Sequence, residues 1–345
     1  MIRRLGLPVA GAVAILAAVL LIPQLASTSS LVVWETGLFA VLFATSTNLL
    51  FGSAGIPSFG QAAFYGAGAY TAGMAAPHGW NVLLVLGLAI VVSAAVALGV
   101  SLFAWRTTGL AFAMLTLAIA QGIYTLVIKV DTFGGYNGLY GIAAPKLGPI
   151  DLVDPATLWY FDAVCVAVGL FALWRVARSP FGLTLNAIRE DPVRATFLGV
   201  HVRAHRAAAF VVAGAVAGLA GALFAYSNQV VTPDQLYWNQ SATPIIMLLV
   251  GGMTYFWGPA LGALLLTWFL HYLTDWTTEY VLYLGVILMA VLIFLPRGLL
   301  SLPSVVRAWR SKGTAAPPDG GGPVVGLLGG DVGIASAAST PEAAR

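Results

Sequence analysis

Charge is scarce in this chain. Asp, Glu, Lys and Arg together make up 8% of its 345 residues, against roughly 25% in an ordinary soluble domain. A water-soluble globule of this length must cover its surface with polar groups, and too few are present. Cysteine is scarcer still. Cys165 stands alone inside an apolar block, which excludes an intrachain disulfide framework and a multi-cysteine metal site and leaves a small packing residue. No G-x-x-x-x-G-K-[ST] run occurs, so the chain has no phosphate-cradling loop of its own. The net charge of +3 is too small, and the basic residues too dispersed, for a nucleic-acid partner. Nor do the apolar blocks carry the Asp/Glu/His series of a proton relay or the repeated Arg of a voltage sensor. Glu35 and Asp162 fall near the outer ends of their blocks, His271 and Asp275 towards the end of another. A charge at the bilayer centre costs about 2.5–3.5 kcal/mol on insertion scales. Proton-coupled carriage is therefore disfavoured, while sodium coupling through carbonyls and hydroxyls stays open.

What is present is hydrophobicity in long runs, as at 7–26, 82–104 and 281–295. Roughly 20 apolar residues match the roughly 30 Å hydrocarbon core of a bilayer, so lipid is the solvent and the fold class is an all-α polytopic transmembrane bundle. Spans are expected near 5–26, 31–51, 57–76, 82–105, 109–130, 158–177, 207–227, 242–254, 258–275 and 280–296. The first, behind Arg3 and Arg4, imitates a secretory signal with Gln24-Leu25-Ala26 as a weak cleavage-like site. Its length and the passes that follow favour an uncleaved span. Segment 57–76 is rich in Gly and Ala and 242–254 is short, which suits broken or re-entrant helices covered by protein or a water-filled cavity.

The basic residues cluster at Arg3 and Arg4, at Arg106, at Arg175, Arg178, Arg189, Arg194, Arg203 and Arg206, and at Arg297, Arg307, Arg310 and Lys312. All face the cytoplasm under the positive-inside rule if ten segments cross and both termini are inside. The other side then receives only Lys129 and Lys146, beside Asp131, Asp151 and Asp154. The transmembrane domain runs over 1–302, and the Ala/Pro/Gly-rich residues 303–345 read as a disordered cytoplasmic tail.

An active transporter without its own engine needs a partner to drive it, and the loop at 179–199 offers a docking surface. Ser179 before Pro180 and Asp191 before Pro192 are two helix starts written alike, and Gly199 suits the left-handed residue that closes the second helix. Val193 and Phe197 share a face, and Glu190 is spaced to pair with Arg194. The plainer reading of the same loop is a solvated basic connection.

The stretch from Gly182 to Ala225, with Ala187-Ile188-Arg189-Glu190-Asp191-Pro192, Leu198-Gly199-Val200 and Ala217-Gly218-Leu219-Ala220-Gly221-Ala222-Leu223, closely resembles the branched-chain amino-acid permease family of ATP-binding cassette importers, in particular its LivM-type subunits. Asn48-Leu49-Leu50-Phe51-Gly52 with Ser58-Phe59-Gly60-Gln61-Ala62-Ala63-Phe64, then Gly109-Leu110-Ala111-Phe112 with Gly134-Gly135-Tyr136-Asn137-Gly138, and finally Phe294-Leu295-Pro296-Arg297-Gly298 match in the same order, so the likeness covers about 35–302. Leu183, Phe59, Gln121 and Tyr136 depart from the usual residues.

The resemblance implies a bacterial inner-membrane permease that imports branched-chain or similar small amino acids. It implies a homologous permease subunit, two ATP-binding cassette ATPases and an extracytoplasmic solute-binding protein as partners. It implies no cofactor in this chain, ATP being bound by the partners. The 179–199 loop would hold the coupling helix, with Gly182, Ala187, Arg189, Glu190, Asp191 and Gly199 as docking residues and no catalytic role. Urea or short amides are alternative solutes in related importers. An independent secondary carrier or channel, and a membrane-embedded enzyme or scaffold, are alternative classes.

Two further patterns concern the solute path. Gly214, Gly218 and Gly221, like Ala62, Gly66 and Tyr70, lie on or near one helical face, which suits close packing in lipid. Alternatively, residues 55–68 are partly irregular and line the translocation path with Ser58, Gly60 and Gln61, as broken helices do in transporters. Gly251-Gly252 and Gly258-Pro259 mark a similar break in the second half. Outside, the loops at 131–157 and 228–243 either receive the binding protein or, through Tyr237 and Trp238, anchor the interface. His201 and His205 stand four apart, but a zinc site needs further ligands and Arg203 between them repels a cation.

Overall fold

The computed structural model describes residues 28–104, 107, 109–143, 146–147 and 150–276, with Pro23, Gln24 and scattered positions between 282 and 299. The expected span at 5–26, nearly all of that at 280–296 and the tail lie outside these residues. The described chain is helical: α1 Thr28–Asn48, α2 Gln61–Ala75, α3 Val82–Ala104, α4 Gly109–Lys129, α5 Pro155–Ala177, α6 Pro180–Glu190, α7 Pro192–Phe197, α8 Val202–Asn228, α9 Trp238–Gly251 and α10 Gly258–Trp276. Two-residue strands β1 Leu139–Tyr140, β2 Lys146–Leu147, β3 Ile150–Asp151 and β4 Val230–Val231 form two small antiparallel pairs, β1 with β4 and β2 with β3. Among the described residues five helical stretches, Ser30–Ser53, Val82–Phe103, Gly109–Lys129, Pro155–Ala177 and Val202–Asn228, are long and apolar enough to cross a membrane.

Helix α8 is the hub, packed against α1, α2 and α3. Its small residues make this possible. A Cβ on Gly214 would lie 2.4 Å from Ala97 Cβ, one on Gly218 2.0 Å from Ser93 Oγ, and one on Gly221 1.9 Å from the Tyr65 carbonyl oxygen. Ser93 donates to the Phe64 carbonyl at 3.0 Å, so α3 is tied to α2 beside the same contact. Close backbone approach thus explains the glycine face of α8, in agreement with the packing reading.

The described helices are interrupted at two places that bear on the site. α1 ends in a π-helical turn, Leu49–Ser53, and residues 54–60 have no regular structure. Residues 55–68, expected to be partly irregular, are so over 55–60, and from Gln61 the chain is α-helical to Ala75.

The second interruption lies elsewhere in sequence. After β4 the chain turns back into the bundle through the 3₁₀ turn Pro233–Leu236, and a Cβ on Gly66, in the middle of α2, would lie 2.3 Å from Leu236 Cδ2. α9 starts at Trp238 directly after this buried turn, with Trp238 itself exposed. Its 14 residues span only about 21 Å at 1.5 Å each. The glycines at 251–252 and 258 mark a reversal, not the counterpart break. A Cβ on Gly251 would stand 1.8 Å from the Gly258 carbonyl oxygen, so α9 and α10 touch backbone to backbone there.

Candidate functional site

The loop at 179–199 folds as two capped helices. Ser179 Oγ accepts the Gly182 N–H at 3.5 Å. Asp191 Oδ1 accepts those of Val193 and Arg194, both at 3.0 Å. At the far end Gly199 adopts φ +83°, its N–H donates to Thr196 O at 3.0 Å and Val200 N–H to Ala195 O at 3.1 Å. These two bonds complete a Schellman closure.

The expected Glu190–Arg194 pair does not form. Asp191 is extended, with φ −154° and ψ 98°, so the two residues belong to different helices and the i,i+4 relation is lost. Arg194 instead lies 3.6 Å from Asp191 Oδ2. Replacing Asp191 by alanine removes the cap, at a cost of about 1 kcal/mol. Hydrogen exchange at the Val193 and Arg194 amides should rise roughly fivefold.

The two helices have distinct inner and outer faces. Gly182, Leu185 and Ile188 are buried, and a Cβ on Gly182 would lie 2.2 Å from the Ala177 carbonyl oxygen, so Gly182 seats α6 on the end of α5. Ala187, Glu190 and Gly199 are exposed and Asp191 half-buried. The most exposed apolar side chains of this segment are ones that motif reasoning passed over or noted only for their spacing: Leu183 at 66%, Val193 at 64%, Phe197 at 87% and Leu198 at 78%.

Arg189 is exposed as well, but its side chain reaches back to the bundle. Its guanidinium donates to the carbonyl of Gly52 in the π-turn. A Cβ on Gly55 would lie 2.6 Å from Arg189 Cγ. The side chain thus lies against the C-terminal end of the π-turn and the start of the irregular segment 54–60, joining the loop helices to the first broken helix.

At the far end of that segment Ser58, Gly60 and Gln61 are all buried. Gly60 N–H donates to Ser58 Oγ at 3.2 Å, and Phe59 N–H to Thr116 Oγ1 on α4 at 3.2 Å. Ala62 N–H, in the first turn of α2, donates to Ser241 Oγ in the first turn of α9 at 2.8 Å. The starts of the two broken helices therefore meet. Both side-chain amide atoms of Gln61 are buried without a partner among the described residues. An unmet buried amide costs roughly 1–3 kcal/mol, and a polar solute or water passing there would relieve it.

Beside this junction is a cavity of about 370 Å³ between α1, α2, α8, α9 and α10. Apolar groups such as Phe39, Phe43 and Met247 line most of it, while Gln240, Thr243 and His271 supply polar atoms. This is the usual make-up of a small-molecule site. Pro244 lies inside α9 and has no N–H, so the Gln240 carbonyl lacks the donor a helix normally gives it. Sequence reasoning missed this cavity, whose lining comes from five separate helices. The one local signal was the proline.

The remaining candidates have structural surroundings. His205 Nδ1 lies 3.0 Å from His201 O and its ring stacks on Phe181. No group of metal-ligating residues occurs among the described residues. Tyr237 packs against Tyr124 with ring centroids 5.1 Å apart, and Trp238 begins α9. Glu35 is buried and accepts from the Ser227 hydroxyl, and Asp162 is buried on α5.

A family model described as the permease component of branched-chain amino acid transport systems matches residues 33–296. The chain is 26% identical over 305 residues to LivM, a high-affinity branched-chain amino acid transport permease of Salmonella typhimurium, covering 81% of this chain and 72% of that protein. It is 27% identical over 290 residues to LivM of Escherichia coli, covering 76% and 68%. The autoinducer 2 import permease LsrC of Escherichia coli is 28% identical over 185 residues, 50% of this chain and 52% of that one. No solved structure matches. A helical bundle with several membrane-length passes, matched over most of its length by this family, belongs to the branched-chain amino-acid transport permeases, and is a transport subunit, not an enzyme.

Proposed function

We propose that the chain is the membrane subunit of an ATP-binding cassette importer for branched-chain or similar small amino acids, driven through the 179–199 loop by a separate ATPase. The observation that carries this reading is the exposed apolar tip of α6 and α7 in the most arginine-rich part of the bundle. The positive-inside rule assigns that end to the cytoplasm, where lipid cannot cover the tip and a protein groove can. A homologous permease subunit, two ATPases and an extracytoplasmic binding protein complete the assembly, and the ATPases bind the ATP.

In this mechanism, movement of α6 is passed through Arg189 to Gly52 and the irregular segment, and from there to Ser58, Gly60 and Gln61. Arg189→Ala should leave ATP hydrolysis in the assembled complex but lower solute uptake per ATP by roughly tenfold or more, since a hydrogen bond from a charged group is worth about 1.5–3 kcal/mol. Equal coupling ratios in the variant and the parent would remove Arg189 from the relay.

The cavity supports an apolar amino acid as the solute. Burying a Leu or Val side chain against Phe39, Phe43 and Met247 is favourable by about 1.5–3 kcal/mol. The Gln240 carbonyl, which lacks its i+4 donor at Pro244, suits the ammonium end, as broken helices do in transporters. Urea or a short amide would bury polar atoms against the same apolar wall at a cost. Thr243→Trp fills the cavity and should abolish labelled-leucine uptake in the reconstituted assembly without lowering its ATPase activity. Unchanged uptake would exclude the cavity as the path.

A further inference from the structure

At the end of the bundle opposite the arginine-rich loops, which the positive-inside rule assigns to the outside, an aromatic cluster surrounds one carboxylate. Tyr70 comes from α2 and Tyr124 from α4, while Tyr237 and Asp234 belong to the turn that leads into α9. Short-range bonds hold the four in place. The Gln235 side chain accepts the Thr232 N–H at 2.7 Å, which fixes the 3₁₀ turn Pro233–Leu236. Leu236 seats that turn on α2 at Gly66, one helical turn before Tyr70. The 131–142 loop is strapped beside it by the β1–β4 pair, where a Cβ on Gly138 would lie 2.2 Å from the Val231 carbonyl oxygen. That loop sets Phe133 edge-on to Tyr70, ring centroids 5.7 Å apart.

Asp234 is exposed, Tyr124 and Tyr237 are half-buried and Tyr70 is buried, so the group runs from the surface inward. The Asp234 carboxylate acts electrostatically on the hydroxyls of both Tyr70 and Tyr124. Lys129 is the one basic residue in α2, α4, the 131–142 loop and residues 228–251, and no ion pair joins it to Asp234 among the described residues. The Tyr70 hydroxyl is buried without a hydrogen-bond partner among the described residues. A carboxylate, ring faces and an unmet hydroxyl together suit a primary ammonium group. It has three N–H donors and no acceptor, and aromatic faces attract it as the carboxylate does. A neutral amide offers Asp234 no charge to hold. A calcium or magnesium ion requires a shell of oxygens where ring faces stand.

We infer that Asp234, Tyr70, Tyr124 and Tyr237 form an outer capture site for the α-ammonium group of a free amino acid, a role that rests on the chain being an amino-acid permease. Asp234 draws the ammonium from water, the rings of Tyr124 and Tyr237 flank it, and the Tyr70 hydroxyl accepts one N–H. Gln240 follows within one turn, its N–H bonded to the Tyr237 carbonyl at 2.9 Å. The captured group therefore has a second acceptor, the Gln240 carbonyl, ahead of it in the solute cavity.

The test is saturation-transfer NMR on the full-length chain in nanodiscs, with three probes that share one branched alkyl chain. Leucine carries ammonium and carboxylate, isoamylamine the ammonium alone, and 4-methylpentanoate the carboxylate alone. Isoamylamine should bind, leucine should displace it, and 4-methylpentanoate should not. Asp234→Asn should weaken isoamylamine binding roughly tenfold or more. Tyr70→Phe should weaken it roughly threefold without lowering the melting temperature, because the hydroxyl it removes is unmet in the free chain. A merely structural Tyr70 would leave binding unmoved. Asp131→Asn, in the neighbouring loop, should bind the amine as the parent does. Equal isoamylamine binding in the parent and Asp234→Asn would overturn the proposal. So would a loss in Asp131→Asn as large as in Asp234→Asn, which would mean diffuse surface charge, and displacement of the amine by equimolar sodium chloride, which would mean an inorganic-cation site. Leucine that fails to displace the amine would overturn it too, leaving a site for a lysine of a docked protein. If the assembly takes up no labelled leucine while Asp234→Asn still loses the amine, the permease reading fails and the ammonium site stands.

Discussion

Replacing Phe197 by aspartate should abolish ATP-driven uptake while leaving the chain inserted in the membrane. Phe197 is 87% exposed at the end of α7, so the substitution costs the isolated chain little and burial cannot explain an effect. Its neighbours Val193 and Leu198 are exposed too, and the Asp191 cap and the Gly199 closure hold the three on one short, rigid element. A rigid apolar tip of this kind is how interfaces concentrate affinity. Truncating an anchor at the centre of a patch typically costs 2 kcal/mol or more, about thirtyfold in affinity. A charge there would cost further, because the partner's groove has to desolvate it. ATPase that co-purifies with the parent chain should be lost from Phe197→Asp, and uptake should be lost with it. This differs from Arg189→Ala, which should keep the ATPase bound and lose only the relay. The two variants thus separate docking from transmission.

The second large effect concerns the hub. Gly221→Val should prevent recovery of folded protein from detergent or lower its melting temperature by roughly 10 °C. Even the first carbon of the new side chain would stand 1.9 Å from the Tyr65 carbonyl oxygen, and 3.1 Å from the Ala69 nitrogen. Both obstacles are backbone, so no rotamer change relieves them and α2 and α8 must move apart. Gly87→Ala on α3 is the matched control, since its Cβ would meet nothing within 4 Å. It should be neutral or slightly stabilising, because alanine is the better helix former by roughly 0.5–1 kcal/mol. A fluorescence melting curve of each variant measures the difference.

How much of this could be read from sequence depends on how local the cause is. The caps at Ser179 and Asp191 and the left-handed Gly199 were legible because each is decided within a few residues. The failure of the Glu190–Arg194 pair was written in the same residues. The Asp191-Pro192 start that begins α7 also breaks the helical register across which the pair was counted. The close packing of α8 was legible as glycine spacing, but its partners Ser93, Ala97 and Tyr65 were not. The direction of Arg189 was not legible either, since spacing does not say which face of α6 meets the bundle. The re-entry at 233–237 was hidden because its polar residues imitate an ordinary outer loop, and only the burial of Leu236 against Gly66 reveals it. A cavity assembled from five helices leaves almost no trace in any one of them.

Cross-linking from position 197 is the most direct measurement of the central claim, that the bundle is worked from below through α6 and α7. With a photoreactive phenylalanine analogue at that position, illumination of membranes carrying the complete transport system should join the chain to a nucleotide-hydrolysing subunit. Saturating ATP should change the yield. Illumination that yields only unlinked chain or lipid adducts, while uptake proceeds at the parent rate, would contradict the account.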